Sequence, residues 1–157
     1  RGCVASDGYN GQVDSTPPLD RAVEVTGPLT FTLHASCSAP DTDFTAKLVD
    51  VEPSGYSRNL ADGIIRARYR QPRQPASLIQ PGQVYEYTID LWATSNLFKQ
   101  GHRIRVEISS SNFPRFDRHT NTGEAIGSDA GFVSALQTVY HTPEYPSHIK
   151  LPIVPRA

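Results

Sequence analysis

Residues 83–116, QVYEYTIDLWATSNLFKQGHRIRVEISSSNFPRF, decide the fold class. Their first half alternates, with Tyr85, Tyr87, Ile89 and Leu91 on one face and Val84, Glu86, Thr88, Asp90 and Trp92 on the other. The second half alternates again, setting Ile104, Val106 and Ile108 against Arg103, Arg105 and Glu107. A period of two marks a strand with one buried face and one wet face. The spacing predicts a long antiparallel hairpin joined by residues 93–101, with Glu86 and Asp90 opposite Arg103 and Arg105. Such cross-strand charge pairs contribute roughly a few tenths of a kcal/mol each. The apolar face needs a second sheet to cover it, so the expected fold is a β-sandwich.

Outward from this stretch the pattern repeats. In LTFTLHASCS, residues 29–38, Leu29, Phe31, Leu33, Ala35 and Cys37 share one face while Thr30, Thr32, His34 and Ser36 share the other. Gly27-Pro28 separates that run from AVEVT, residues 22–26, and reads as a break between two strands. FTAKLVDV at 44–51 is a further strand, and Glu52-Pro-Ser-Gly55 a tight turn into residues 56–60. Asp62-Gly63 reads as another turn, leading into IIRARYR, where Arg66, Arg68 and Arg70 form a ladder on one face. Such a ladder is a solvated face or a partner for acids on a neighbouring strand. Residues 132–142 and 148–154 look like the last two strands, separated by Pro143 and Pro146. Eight or nine antiparallel strands result, with turn signals about every ten residues and no convincing helix. Residues 1–18, RGCVASDGYNGQVDSTPP, have no period and read as an arm or linker, leaving 19–157 as the sandwich. The expected buried set is Phe31, Leu33, Phe44, Leu48, Tyr87, Ile89, Leu91, Ile104, Val106 and Ile108.

Length and charge bound the function. A chain of 157 residues fits one domain able to bury roughly 68–70% of its unfolded surface. Apolar residues make up 38% and charged residues 20%, and the net charge of −1 gives no basic field for nucleic acid or a membrane surface. No apolar run approaches the roughly 18 residues of a membrane span. The chain contains no Met and begins with Arg1, so it reads as an excised or processed piece. Its two cysteines, Cys3 and Cys37, leave the redox compartment open, and Cys37 suits a small buried residue at a strand end.

Catalytic patterns are absent. The nearest string to a nucleophile elbow, Gly127-Ser-Asp-Ala-Gly131, places its Ser one position early. There is no H-E-x-x-H, C-x-x-C or phosphate-binding glycine loop, and the histidines at 34, 102, 119, 141 and 148 form no H-x-H pair. Asp41-Thr-Asp43 has the oxygen donors that calcium takes, but two acids without supporting spacing fit a polar turn accepting backbone N–H groups better. Ser109, Ser110 and Ser111 fit hydroxyls closing a strand onto a loop. The residues predict no cofactor, no metal and no catalytic site.

Five strings together carry a family resemblance: EVTGPL from Glu24, APDTDFTAKLVDV from Ala39, DGIIRARYR from Asp62, PGQVYEYTIDLWATSNLFKQGHRIRVEISSSNFPRFDR from Pro81, and HTPEYPSHIKLPIV from His141. The chain resembles the C-terminal domain of the cocaine esterase and X-prolyl dipeptidyl-peptidase type of serine hydrolase. The α-amino-acid ester hydrolases carry a similar domain. The resemblance implies a jelly-roll β-sandwich, galactose-binding-like and non-catalytic, that follows an α/β-hydrolase domain with a helical cap. Those earlier parts supply the Ser-Asp-His triad and are the implied partners, while the sandwich packs on them and helps wall the pocket. The linker nearest that pocket falls on Cys3, Val4 and Ala5. Two departures stand out: His119 where the family has Asn, and only residues 17–21 where members have a further strand, so an edge strand is expected to be missing.

Accordingly the expected role is an accessory domain for hydrolysis of esters or X-Pro peptides by an absent catalytic domain. A rival reading is a carbohydrate-binding jelly roll, which needs coplanar exposed aromatics, and a single Trp offers few. A third, an enzyme in its own right, needs a triad the motifs do not show. Trp92, Leu97, Phe98, Phe113 and Phe116 are apolar where a lone sandwich has little use for them. They are the expected docking face, and the isolated domain is expected to self-associate through it.

Overall fold

The computed structural model describes residues 11–125, 127–128 and 131–155. Among them run eight strands: β1 (Gly11–Ser15), β2 (Val23–Cys37), β3 (Asp43–Val51), β4 (Ser57–Arg66), β5 (Tyr85–Phe98), β6 (Arg103–Ser109), β7 (Gln137–Val139) and β8 (His148–Lys150). One sheet has the order β1-β6-β3-β4 and the other the order β5-β2-β7, with β8 also on β2. Every pairing between strands is antiparallel. The protein is an all-β sandwich. Its core lies between the inward faces of the two sheets, and all ten residues of the expected buried set belong to it. Cys37 is a free buried thiol, pushed up in pKa mainly by that burial.

The predicted hairpin does not form. β5 pairs with β2, from Val23↔Phe98 to Ala35↔Tyr85, while β6 lies in the other sheet between β1 and β3. Residues 99–102 therefore carry the chain across the sandwich instead of back along it. Glu86 stands opposite His34 and contacts it at 3.3 Å. Arg103 donates to the Thr16 carbonyl at 2.9 Å and Arg105 to Ser15 Oγ at 3.1 Å. Alternation determines which side chains share a face but says nothing about the neighbouring strand. A hairpin would align both apolar faces on one sheet and leave them uncovered. Placing the strands in opposite sheets lets each cover the other.

Several boundaries shift for local reasons. β2 is one strand through Gly27-Pro28, because the irregularity there, between Pro28↔Ala93 and Thr30↔Asp90, leaves three steps on β5 opposite two on β2. This bulge turns Trp92 into left-handed backbone (φ 64°), its N–H held by Asp90 Oδ1 at 2.8 Å. Asp62-Gly63 lies inside β4 and is no turn; β4 instead bulges where Leu48↔Ala61 gives way to Val49↔Asn59. β4 ends at Arg66 in a 3-10 turn, Ala67–Tyr69, which breaks the arginine ladder. β1, within the stretch read as an arm, pairs along all five residues with β6, so the sandwich already includes Gly11. An edge strand bonds through its backbone, which needs no hydrophobic alternation, and none announced it.

The registers define two ends. Gly11, Ser109 and Thr45 align at one, where β2 finishes at Cys37 and β3 begins at Asp43. We call this the entry end. Phe98, Arg103, Val51 and the Val25–Ile153 bridge mark the far end.

Candidate functional site

Carboxylates buried beside the strands hold the long connections in place. Asp41 has no solvent exposure. It accepts the backbone N–H of Arg68 at 2.9 Å, the Arg68 Nε, and His119 Nε2 at 3.0 Å. The N–H of Asn121 donates to His119 Nδ1 at 2.9 Å, so Nε2 carries the proton that points at Asp41. Burial would raise the Asp41 carboxyl, but the hydrogen bonds from His119 and Arg68, together with the Arg68 charge, outweigh it and hold the group below its ordinary range. Asp43 takes a two-pronged bond from Arg66 (2.9 and 3.2 Å), and Asp62 accepts Asn112 Nδ2 at 2.7 Å and Arg115 at 2.6 Å. At the far end Asp50 accepts His102 Nδ1 at 2.8 Å and Arg58 at 3.1 Å.

These bonds dispose of most sequence candidates for chemistry. Asp41 and Asp43 spend their oxygens on protein donors, and the backbone N–H that Asp41 accepts comes from Arg68, 27 positions away, instead of from its own turn. Arg66 and Arg68 pair with acids, and the Arg70 guanidinium lies 4.5 Å from the Tyr85 ring centroid. Ser109 Oγ accepts the N–H of Ser111, and Ser111 Oγ that of Phe113, closing strand onto loop as expected. The histidines engage carboxylates or backbone: His34 with Glu86, His102 with Asp50, His119 with Asp41, His141 with Asp14, and His148 with the Pro146 carbonyl. None of these pairs is a hydroxyl or thiol nucleophile held by a base.

What the entry end does present is a cleft. Asn112 and Arg115 on Asp62, and His119 on Asp41, draw the segment after β6 across the outer face of β3 and β4. A cleft of about 670 Å³ remains there, lined by Lys47, Ser110, Ser111, Phe113, Arg118 and Phe132 among others. Phe113 is 57% exposed with the Arg118 guanidinium 4.8 Å from its ring centroid, and Phe132 is 67% exposed. A neighbouring recess of about 350 Å³ is bounded by Ile64, Arg66, Tyr69 and Phe116. Lys47 lies in register with Asp62 and Glu107, yet Asp62 is taken by Arg115 and Glu107 by Arg105. Among the described residues, none lining the larger cleft is acidic.

The expected docking residues separate. Trp92 is 73% exposed on the β5 bulge, Leu97 and Phe116 are half-buried, and Phe113 lines the cleft. Phe98 is fully buried in the core and leaves the set. The extra residue at the bulge shifts β5's alternation by one, turning Asn96 and Phe98 inward. Cys3, Val4 and Ala5 lie outside the described residues. Sequence reasoning missed Lys47 and Phe132, both lining the cleft. The available signals were a lone cation inside FTAKLVDV and an apolar pair after Gly131 with no alternating partner.

Comparison with known proteins gives the frame for this geometry. Residues 5–150 match the X-Pro dipeptidyl-peptidase C-terminal non-catalytic domain. Cocaine esterase from Rhodococcus sp. (strain MB1 Bresler) is 47% identical over 165 residues, covering 96% of this chain and 29% of that protein. An α-amino acid ester hydrolase structure superposes with a TM-score of 0.88 at 30% identity, covering 94% of this chain and 26% of that one. An aminopeptidase from a marine sediment Thaumarchaeota archaeon superposes with a TM-score of 0.85 at 33% identity, covering 96% and 27%. The chain thus spans less than a third of the relatives it matches. It belongs to the family of X-Pro dipeptidyl-peptidase C-terminal non-catalytic domains.

Proposed function

We propose that this chain is the accessory domain of a serine hydrolase acting on esters or X-Pro peptides, packed on an α/β-hydrolase body that carries the Ser-Asp-His triad. One observation carries the reading: the chain belongs to a non-catalytic domain family yet spans 26–29% of relatives named as an esterase, a peptidase and an ester hydrolase. The engagement of every histidine by something other than a nucleophile supports it. In this reading the stretch 1–18 includes the linker from that body, with Cys3, Val4 and Ala5 bordering its pocket. The domain's contribution is to shape that pocket and to hold the body's surface against water.

The test compares this chain with the whole polypeptide that contains it. An activated ester and a serine-reactive phosphonate probe should give background turnover and no label on the chain, against turnover and one labelled Ser in the whole protein. Stoichiometric labelling of a Ser within the chain itself overturns the proposal.

A further inference from the structure

Lys47 stands in the middle of β3 with an acid in register on either side, Asp62 on β4 and Glu107 on β6. Residues directly opposite each other share a face of the sheet, so either acid is placed to neutralise it. Neither does. Asp62 accepts Asn112 Nδ2 at 2.7 Å and Arg115 at 2.6 Å, and Glu107 contacts Arg105 at 3.7 Å. Each of these acids is balanced by an arginine, which leaves the half-buried Lys47 ammonium without a counter-charge among the described residues. Asp117, the acid beside Arg118 in sequence, lines the neighbouring recess instead.

The surroundings of that ammonium have the dimensions and chemistry of a small-molecule site. Lys47 lines the cleft of about 670 Å³, inside the roughly 300–1,000 Å³ that such sites occupy. Ser110 and Ser111 line it too. Among the described residues the Ser110 hydroxyl has no protein partner. The Ser111 oxygen accepts the Phe113 N–H at 3.4 Å, which leaves its proton free to donate. The exposed rings of Phe113 and Phe132 complete the lining. Phosphate is met by a two-pronged guanidinium or a nest of backbone N–H groups, whereas the Arg118 guanidinium is stacked 4.8 Å from the Phe113 ring centroid. One ammonium, two hydroxyl donors and two rings match a ligand with a single negative charge and an apolar ring.

We infer that the cleft binds a small monocarboxylate carrying such a ring. Its carboxylate sits on Lys47 and the hydroxyls of Ser110 and Ser111, and its ring lies against Phe113 and Phe132. Hydrolysis of an ester or an X-Pro peptide frees a carboxylate. Resting on the functional reading above, the ligand therefore belongs to the class of acid that the whole enzyme releases.

The test uses the whole polypeptide, with its nucleophilic Ser first capped by the phosphonate probe, and compares phenylacetate with its neutral counterpart 2-phenylethanol. Calorimetry should show phenylacetate bound about tenfold or more tightly than the alcohol, the factor expected of hydrogen bonds to a charged group. Lys47→Gln should erase that preference and leave the affinity for the alcohol unchanged. Phe132→Ala should weaken both ligands alike, and Ile153→Ala should change neither. A second readout needs no variant. The lysines of this chain are Lys47, Lys99 and Lys150, and phenylacetate should slow reductive methylation of Lys47 alone among them, read by peptide mass spectrometry. A preference that survives Lys47→Gln, equal competition by inorganic phosphate, or an unprotected Lys47 at saturating phenylacetate overturns the inference. Absence of binding overturns it as well, while a capped Ser upstream leaves the functional reading standing. Should no Ser take the probe, the functional reading fails and protection of Lys47 still decides the cleft.

Discussion

His119 donates through Nε2 to Asp41 at 3.0 Å, and the oxygen it reaches also accepts from Arg68. One fully buried carboxylate thereby fastens both the turn after β4 and the segment after β6. A carboxyl held below its ordinary pKa in the folded state contributes stability above its unfolded pKa and loses it as pH falls through the folded one. The acid limb of the stability profile should therefore carry an Asp41 component, and Asp41→Asn should remove it. Near neutral pH the same variant leaves Arg68 without its counter-charge and should cost about 3–5 kcal/mol. Denaturant titrations across pH check both.

Gly63 should not tolerate a side chain. A Cβ there would lie 2.1 Å from the Asp90 carbonyl oxygen, where edge strand β4 passes under β5. Gly63→Ala is expected to force the sheets apart and cost about 1–3 kcal/mol or more, read as a fall in the midpoint of chemical unfolding.

Tyr87 offers the opposite sign. Its hydroxyl is buried without a partner, and burial pushes the phenol up in pKa. Tyr87→Phe keeps the ring contact with Phe44, whose centroid lies 4.8 Å away, and removes an unsatisfied group. It should stabilise the domain by about 1 kcal/mol. A loss of stability would show that the hydroxyl has a partner in solution.

Leu91 and Ile104 face each other's sheets from either side of the core. Truncating either to Ala should cost about 2–5 kcal/mol by calorimetry or denaturant melts, since little surrounds them that can collapse.

The isolated chain should self-associate through its uncovered entry end. Sedimentation velocity is expected to show concentration-dependent dimers or larger species, reduced by Phe132→Asp and unaffected by Ile153→Asp.

Much of this protein was legible in the residues alone. Period-two alternation determined which side chains turn inward, so Leu29 to Cys37, Tyr87 to Leu91 and Ile104 to Ile108 are buried as read. The strings around Glu24, Ala39, Asp62, Pro81 and His141 determined the family. Tertiary structure decided the partners. A side chain's face follows from the local pleat, but a strand's neighbour follows from what covers the apolar face, and that is a property of two distant segments. Hence β5 and β6, adjacent in sequence, lie in opposite sheets. One extra residue at Trp92 inverted the phase beyond it and moved Phe98 into the core, where no period could place it. Nor does any spacing bring Lys47, Phe113 and Phe132 around one cleft. That required buried Asp41 and Asp62 to pull a strandless segment across the sheet, through hydrogen bonds between residues up to 78 positions apart.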